Sequence, residues 1–288
     1  YAVKKGVLRS EKRPIKLIDS NYINNDISLA AIERCVNVIN EYVSIAKEHN
    51  INDIITITTS AIRDAVNSAE VISSIENKTG VIVDIISGEQ EAKLVHLGVN
   101  KAVKFNEEPS LIIDIGGGSI EFIICNKSEI FWINSYPIGI ARLLNRFDFS
   151  DPLSENDICF LNGFFEANLD EVLLKCKQLK VSRIIGSSGS FDTFKNLAIC
   201  ANPAYIPKNN KQYYLIDIKS FEKIFQQLIS LNIFQRIEMK GMDPIRVEMI
   251  PIAAVLMNFL LNKLEINIFI QSAYSLKEGV IFNYLVNR

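Results

Sequence analysis

Apolar residues recur along the chain with two periods, one typical of helices and one typical of strands. Between Ser28 and Asn50 they follow helical spacing, and Ser28 or Asp26 can cap that helix. Short runs rich in β-branched residues predict strands at 54–58, 81–86, 111–114, 120–125, 129–133 and 181–185. Strands and helices alternate in both halves of the chain, which predicts two α/β domains.

Helical spacing predicts further helices, whose limits are set by caps and glycines. Ser87 fits the cap of a helix that ends at Gly98, with Gln90 at its third position. The other predicted helices span 155–179, 218–235, 244–264 and 275–285. We expect the first of these four to be broken or bent near Gly163 and the last to fold back on the first half of the chain.

Three consecutive glycines, 116–118, follow the buried strand that ends on Asp114. Without Cβ atoms they let an anion approach successive backbone N–H groups. A second strand follows them, and no Gly-Lys-Ser/Thr sequence is present, so they are not a P-loop. Asp114 and Glu121 on the two sides of this hairpin suggest a place for a divalent cation beside a phosphate chain. A tight hairpin with two solvated acids is the alternative.

Small hydroxyl residues follow two other predicted strands. Strand 54–58 leads to Ser60 and Arg63, and strand 181–185 leads to the sequence Gly-Ser-Ser-Gly-Ser at 186–190. Helices begin at both places, and a helix N-terminus at the end of a strand favours an anion. Two such loops suit a ligand with several phosphates, which we expect to lie between the two domains. The alternatives are a surface salt bridge for Arg63 and a flexible linker for 186–190.

The composition is that of a globular protein with a sizeable core, since 48% of its 288 residues are hydrophobic and 22% are charged. A net charge of −2 argues against nucleic-acid binding through bulk positive charge, and no apolar run has transmembrane length. Five scattered cysteines, none in C-x-x-C spacing, predict reduced thiols in the cytoplasm. Two distant histidines argue against a His-based zinc site or a His-dependent nucleophilic triad.

Five motifs together resemble one known family. They read T-T-S-A-I-R-D-A-V-N at 58–67, I-S-G-E-Q-E-A-K-L-V-H-L-G-V at 86–99, D-I-G-G-G-S-I-E-F at 114–122, G-S-S-G-S at 186–190 and S-L-K-E-G-V-I at 275–281. In this order and spacing they resemble the exopolyphosphatase and guanosine pentaphosphate phosphohydrolase family. The resemblance extends over nearly the whole chain, and five collinear motifs are far more specific than any one of them.

The resemblance implies roles for individual residues. Glu91 matches the family's catalytic glutamate, which orients or deprotonates the attacking water. From the residues alone, Glu91 is only a first-turn acid of a kind that often serves the helix dipole. Glu121 matches an acid near the water and the metal, and Asp114 with Glu121 would hold Mg²⁺. Phosphate-binding residues are implied at Gly116, Gly117, Gly118, Ser119, Ser60, Arg63, Lys93, Gly186, Ser187, Ser188, Gly189 and Ser190.

The resemblance also implies a fold of two actin-like domains, of the ribonuclease H-like type, with the site in the cleft between them. We place domain I at 1–105 with 273–288 and domain II at 106–272. The family's first phosphate loop, an Asp-x-Gly-Ser-Asn hairpin, is absent from the sequence, and we expect that strands preceding Tyr1 are missing from the chain. The long helical C-terminal domain of larger members is absent too, which implies a two-domain short form.

The expected function is Mg²⁺-dependent hydrolysis of terminal phosphoanhydride bonds in inorganic polyphosphate or guanosine pentaphosphate. We expect no nucleic-acid or membrane partner, and the family suggests a homodimer. Two alternatives stay open. One is a non-catalytic sensor that binds polyphosphate or a guanosine alarmone, and the other is an ATP-dependent kinase of the same superfold with a nucleotide pocket near Gly186 to Ser190.

Overall fold

The computed structural model describes residues 7–19, 22, 24–202 and 212–287. The chain divides into two compact units, Tyr1–Ser87 and Gly88–Arg288. The domain limits expected from the sequence, 1–105 with 273–288 and 106–272, stay a prediction. Within the described residues, no helix combines the length and the apolar character needed to cross a bilayer.

The first unit packs three helices with a pair of parallel strands. Its elements are α1 (Leu29–Glu48), β1 (Thr56–Thr58), α2 (Ser60–Arg63), α3 (Ser68–Thr79) and β2 (Val83–Ile85). Ser28 caps α1 as predicted, because its hydroxyl accepts a 3.2 Å hydrogen bond from the N–H of Ala31. Ile32 of α1 and Val71 of α3 are buried in one apolar core, so the apolar stripe of α1 has the structural role that its spacing indicates.

The second unit contains a six-stranded mixed sheet with the order β5-β4-β3-β6-β8-β7. The adjacent strands β3, β6 and β8 are parallel, whereas β4, β5 and β7 run antiparallel to their neighbours. Its strands are β3 (Ser110–Ile115), β4 (Ile120–Cys125), β5 (Ile130–Tyr136), β6 (Arg183–Ser187), β7 (Tyr213–Ile216) and β8 (Phe269–Ser272). Its helices are α4 (Gly88–Ala102), α5 (Ile140–Arg146), α6 (Glu155–Asn168), α7 (Asp170–Gln178), α8 (Gly189–Ala201), α9 (Ile218–Ser230), α10 (Ile233–Ile237), α11 (Ile250–Leu264) and α12 (Leu276–Val286).

Apolar cores cover both faces of this sheet, as parallel strands require. Successive side chains of a strand point to opposite faces, and β3 follows this rule. Ile113 belongs to the core that includes Leu256 of α11, whereas Ile112 belongs to the core that includes Val95 of α4. Every second residue along β3 or β4 therefore has its side chain on the same face of the sheet.

Two glycines allow α4 and α12 to pack against each other at close range. A Cβ atom on Gly98 would lie 2.2 Å from the carbonyl oxygen of Ser275, and one on Gly279 would lie 1.8 Å from that of Leu94. The predicted end of α4 at Gly98 is wrong, because the helix continues to Ala102. Gly98 is there for helix packing rather than for termination, and the last helix packs on α4.

Other helix limits also differ from the predictions. The predicted break near Gly163 is wrong, because α6 continues through Gly163 and the helix is interrupted at Leu169, before α7. The segment 218–235 is divided by a new start at Asn232, whose side chain caps α10. The predicted helix at 244–264 begins only at Ile250. Strands β7 and β8 were not predicted.

Candidate active site

Three acidic residues converge near the end of the β3–β4 hairpin. Asp114 and Glu121 are directly paired across the two antiparallel strands, so their side chains lie on the same face of the sheet. Asp114 lies two residues after Ile112 and Glu121 two residues before Ile123, and both isoleucines belong to the core on the α4 side, so the two acids point to the face that α4 covers. Glu91 lies in the first turn of α4, and all three side chains are at least nine-tenths buried. The acids that the sequence singled out are thus brought to one place.

The glycine turn between these strands is fixed through its carbonyl groups. Gly116 donates a 3.0 Å hydrogen bond to the carbonyl of Ser119, which closes the turn. The carbonyls of 116–118 accept backbone hydrogen bonds of 3.1 to 3.2 Å from the start of α5, and the Nε of Arg142 donates to Gly118 at 2.8 Å. Within the described part of the chain, the N–H groups of Gly117 and Gly118 donate no hydrogen bond. They are suited to bind an anion.

Glu121 is buried in a setting that favours its neutral form. Its Oε1 accepts hydrogen bonds from the hydroxyls of Ser119 at 2.6 Å and Ser135 at 2.7 Å. Burial, followed by the negative charges of Glu91 and Asp114, raises the pKa of Glu121 to about 8. A site with a protonated Glu121 carries less negative charge, which favours a polyanionic ligand.

Asp114 is influenced by groups on both sides of β3. Burial is the main cause that raises the pKa of Asp114, and the charge of Asp192 also raises it. The hydroxyls of Ser188 and Ser187 and the positive charge of Arg246 act in the opposite direction. Asp114 therefore lies between the glycine hairpin and the second loop.

The second predicted loop, Gly186 to Ser190, is joined to the first by a hydrogen bond. The hydroxyl of Ser188 donates to the carbonyl of Ile115 at 3.2 Å, and Ser188 adopts a positive φ of 70°. Ser187 and Ser190 are buried, with Ser187 directly paired to Asp114 in the register of β6 and β3. The structure thus brings the two predicted phosphate loops side by side.

Arg246 is a site residue that the sequence reasoning missed. Its Nε is buried and has no hydrogen-bond partner within the described residues. A Cβ atom on Gly189 would lie 2.6 Å from this Nε, so a glycine in the loop is what leaves room for the guanidinium. The positive charge of Arg246 also acts on Asp114. A buried guanidinium nitrogen beside a phosphate loop is suited to bind a phosphate oxygen.

Ser60 and Arg63, which belong to the first unit, are the first and the last residue of the short helix α2. Arg63 pairs with Asp64, with 3.1 Å between Nε and Oδ1, and its Nη1 donates to the carbonyl of Ile86 at 3.0 Å. Lys93, in the second unit, forms an exposed ion pair with Glu89 at 2.6 Å. Phosphate binding by these three residues stays a prediction.

The donors around Asp114 fit a hard divalent cation. Asp114 and Glu121 offer only carboxylate oxygens, which Mg²⁺ prefers, and Mg²⁺ usually keeps several waters and takes one or two carboxylates. Among the residues that the structure describes, no cluster of three or more His, Cys, Asp and Glu side chains could hold a metal alone. A cation here would therefore share its coordination with water and phosphate oxygens.

Comparison with known proteins identifies the family. The sequence model of the Ppx/GppA phosphatase family matches residues 2–288. The chain belongs to the Ppx/GppA phosphatase family. An exopolyphosphatase 1 from Mycobacterium leprae is 23% identical over 279 residues, which cover 96% of this chain and 81% of that relative. A guanosine-5'-triphosphate,3'-diphosphate pyrophosphatase from Aeromonas salmonicida is 25% identical over 279 residues, 96% of this chain and 54% of that relative.

Solved structures of Ppx/GppA proteins share this fold. An exopolyphosphatase from Cytophaga hutchinsonii superimposes with a TM-score of 0.90 at 32% identity, covering 95% of this chain and 88% of that one. A family member from Aquifex aeolicus gives a TM-score of 0.74 at 23% identity, covering 95% and 87%. The α/β fold class and the family expected from the motifs are confirmed.

Proposed function

We propose that this Ppx/GppA protein hydrolyses the terminal phosphoanhydride bond of inorganic polyphosphate or of guanosine pentaphosphate. The observation that carries the proposal is the convergence of Glu91, Asp114 and Glu121 beside a glycine turn with free N–H groups. The family supports phosphatase chemistry, and the relatives named above act on one or other of these two substrates.

Glu91 is the residue that positions and deprotonates the attacking water in this proposal. Phosphoryl transfer to water needs a base on the nucleophile and donors that stabilise charge on the phosphoryl oxygens. Glu91 is almost fully buried at the start of α4, close enough to Glu121 for their charges to interact.

The phosphate groups are bound by the turn 116–119 and the loop 186–190, with Arg246 as an added donor. Backbone N–H groups and hydroxyls suit phosphate oxygens because they donate without a bulky side chain. Arg246 supplies a positive charge at the same loop. Phosphate binding by Ser60, Arg63 and Lys93, which the resemblance to the family implies, is also part of the proposal.

Asp114 and Glu121 are the residues that would hold Mg²⁺. When bound, this ion neutralises charge on phosphate oxygens and so favours attack on a polyanion. The predicted homodimer is part of the proposal, and so is a cytoplasmic location, with which five free cysteines agree.

Phosphate release from polyphosphate and from guanosine pentaphosphate tests the function. The full chain is assayed with Mg²⁺ and with EDTA. We expect release that depends on the metal, and the substrate with the higher kcat/KM identifies the preferred one. Binding of either ligand with no release in any condition would contradict the hydrolase and favour the sensor.

A further inference from the structure

Asp192 is an acid beside the second phosphate loop to which the motifs assign no role. It lies in the first turn of α8, directly after the loop 186–190. Its Oδ1 accepts a 2.8 Å hydrogen bond from Nε2 of Gln271, a residue only 1% exposed. Gln271 is paired with Gly186 in the register of β8 and β6, and its Nε2 also donates to the carbonyl of Ser272 at 2.7 Å. A buried amide thus holds the Asp192 carboxylate at the end of the parallel strands.

Asp192 and Asp114 are close enough for their charges to interact. Burial is the main cause that raises the pKa of Asp114, and the negative charge of Asp192 adds to it. The Asp192 side chain is 45% exposed, so its carboxylate can meet a ligand from solution. A second carboxylate beside a phosphate loop opposes anion binding unless a cation lies with the phosphate.

An unpartnered hydroxyl lies at the same place. Ser187 is fully buried and directly paired with Asp114 across β6 and β3. Its Oγ meets no partner with full hydrogen-bond geometry within the described residues, although the hydroxyl lies close enough to Asp114 to lower the pKa of that carboxyl. Two carboxylates and a hydroxyl are the oxygen donors that a hard divalent cation takes.

We propose that Asp192 is a further residue of the divalent-cation site, with Asp114 binding the ion and Asp192 binding a water of its hydration shell. The inference rests on the proposed function, because the cation that Asp192 would help to bind is the divalent cation of the proposed hydrolysis. The cation site proposed above consists of Asp114 and Glu121, and this inference adds to it a carboxylate from the β6–α8 side. Glu121 already accepts two hydroxyl hydrogen bonds on one oxygen.

Lys195 allows this assignment to be tested against an alternative, in which Asp192 positions Lys195 to bind a phosphate. Its Nζ lies 4.0 Å from Oδ1 of Asp192, one turn along α8. If Asp192 served to position Lys195 for a phosphate, cation binding without substrate would not depend on Asp192. If Asp192 serves the cation, Lys195 competes with that cation as a like charge. The two side chains then have opposite effects on cation affinity.

The experiment is a titration of the substrate-free full chain with Mn²⁺, in which electron paramagnetic resonance measures the free ion. We expect Asp192→Asn to raise the Kd for Mn²⁺ about tenfold and Lys195→Met to lower it, because each changes the charge beside the ion. Asp114→Asn should abolish this binding and so identify the site. The matched control is Asp170→Asn, since Asp170 is an exposed acid in the first turn of α7 and should leave the Kd unchanged.

Three results would overturn the inference. The first is a Kd of Asp192→Asn equal to that of the wild type. The second is weaker binding in Lys195→Met, and the third is Mn²⁺ binding that Asp114→Asn does not affect. Thermal melting of each variant shows whether it is folded. Because no substrate is present, loss of the proposed phosphatase activity is a separate result and leaves the Mn²⁺ titration valid.

Discussion

The hydroxyl of Ser119, at the end of the glycine turn, donates a 2.6 Å hydrogen bond to the carboxylate of Glu121. This contact connects the glycine turn to the acid that is paired with Asp114. A ligand that moves the turn therefore changes the surroundings of Glu121. The turn and the acids act as one site.

Glu121→Gln should flatten the dependence of stability on pH. Burial raises the pKa of Glu121 from 4.5 to about 8, so between these values the folded chain holds a proton that the unfolded chain has lost. The free energy of unfolding should then fall as the pH rises from about 5 to about 8, by up to about 1.4 kcal/mol per pH unit. Urea unfolding in EDTA measures this slope, which should be smaller in the variant, where the raised pKa of Asp114 still contributes.

The control for this pH series is Glu107→Gln, because Glu107 is 72% exposed and lies at the opposite end of the β3–β4 hairpin from the glycine turn, beside Asn126. It should keep the slope of the wild type. Parallel curves for the wild type and Glu121→Gln would show that Glu121 is not the group that titrates.

Gly139→Ala should disrupt the glycine turn. A Cβ atom at this position would lie 2.4 Å from backbone atoms of Gly117 and Gly118, so the turn or the start of α5 has to move. We expect a loss of about 2 kcal/mol or more in the free energy of unfolding, as in other overpacked sites, together with most of the phosphate release. Denaturant unfolding and the phosphate assay measure the two effects.

The matched control is Gly163→Ala in α6, where a Cβ atom would have no neighbour within 4 Å. This change should raise the free energy of unfolding by about 0.5 to 1 kcal/mol, because alanine is the better helix former. Equal effects of the two substitutions would contradict the close approach at Gly139.

Arg246→Met should weaken substrate binding. Loss of a charged hydrogen-bond donor to phosphate corresponds to about 1.5 to 3 kcal/mol, or about a 10- to 100-fold rise in KM. Steady-state phosphate release measures the KM. The control is Lys263→Met at the exposed end of α11, which should leave the KM unchanged. An unchanged KM for Arg246→Met would remove Arg246 from the site.

The sequence predicted the β3–β4 hairpin and the acids beside it because these features are local. β-branched runs on both sides of three glycines leave few alternatives, and the paired register of Asp114 and Glu121 follows from a short turn. Glu91 could not be separated from an ordinary first-turn acid by local pattern, and only the resemblance to the family selected it.

The features that the sequence did not predict depend on tertiary contacts. Gly98 resembles a helix stop, yet it continues α4 because α12 packs against it. Arg246 precedes an apolar helix without a motif of its own, and only the fold brings it to Gly189. Asp192 likewise gains its place from Gln271, which is distant in sequence.

The comparison of Glu91→Gln with Glu89→Gln tests the central claim most directly. The two acids lie in the same first turn of α4, but Glu91 is buried near Glu121, whereas Glu89 is exposed and paired with Lys93. In the Mg²⁺-dependent phosphate release assay, Glu91→Gln should lower kcat by about 10²- to 10⁴-fold, as loss of a general base does, while Glu89→Gln should retain the wild-type rate. Phosphate release by Glu91→Gln at the wild-type rate would contradict the account.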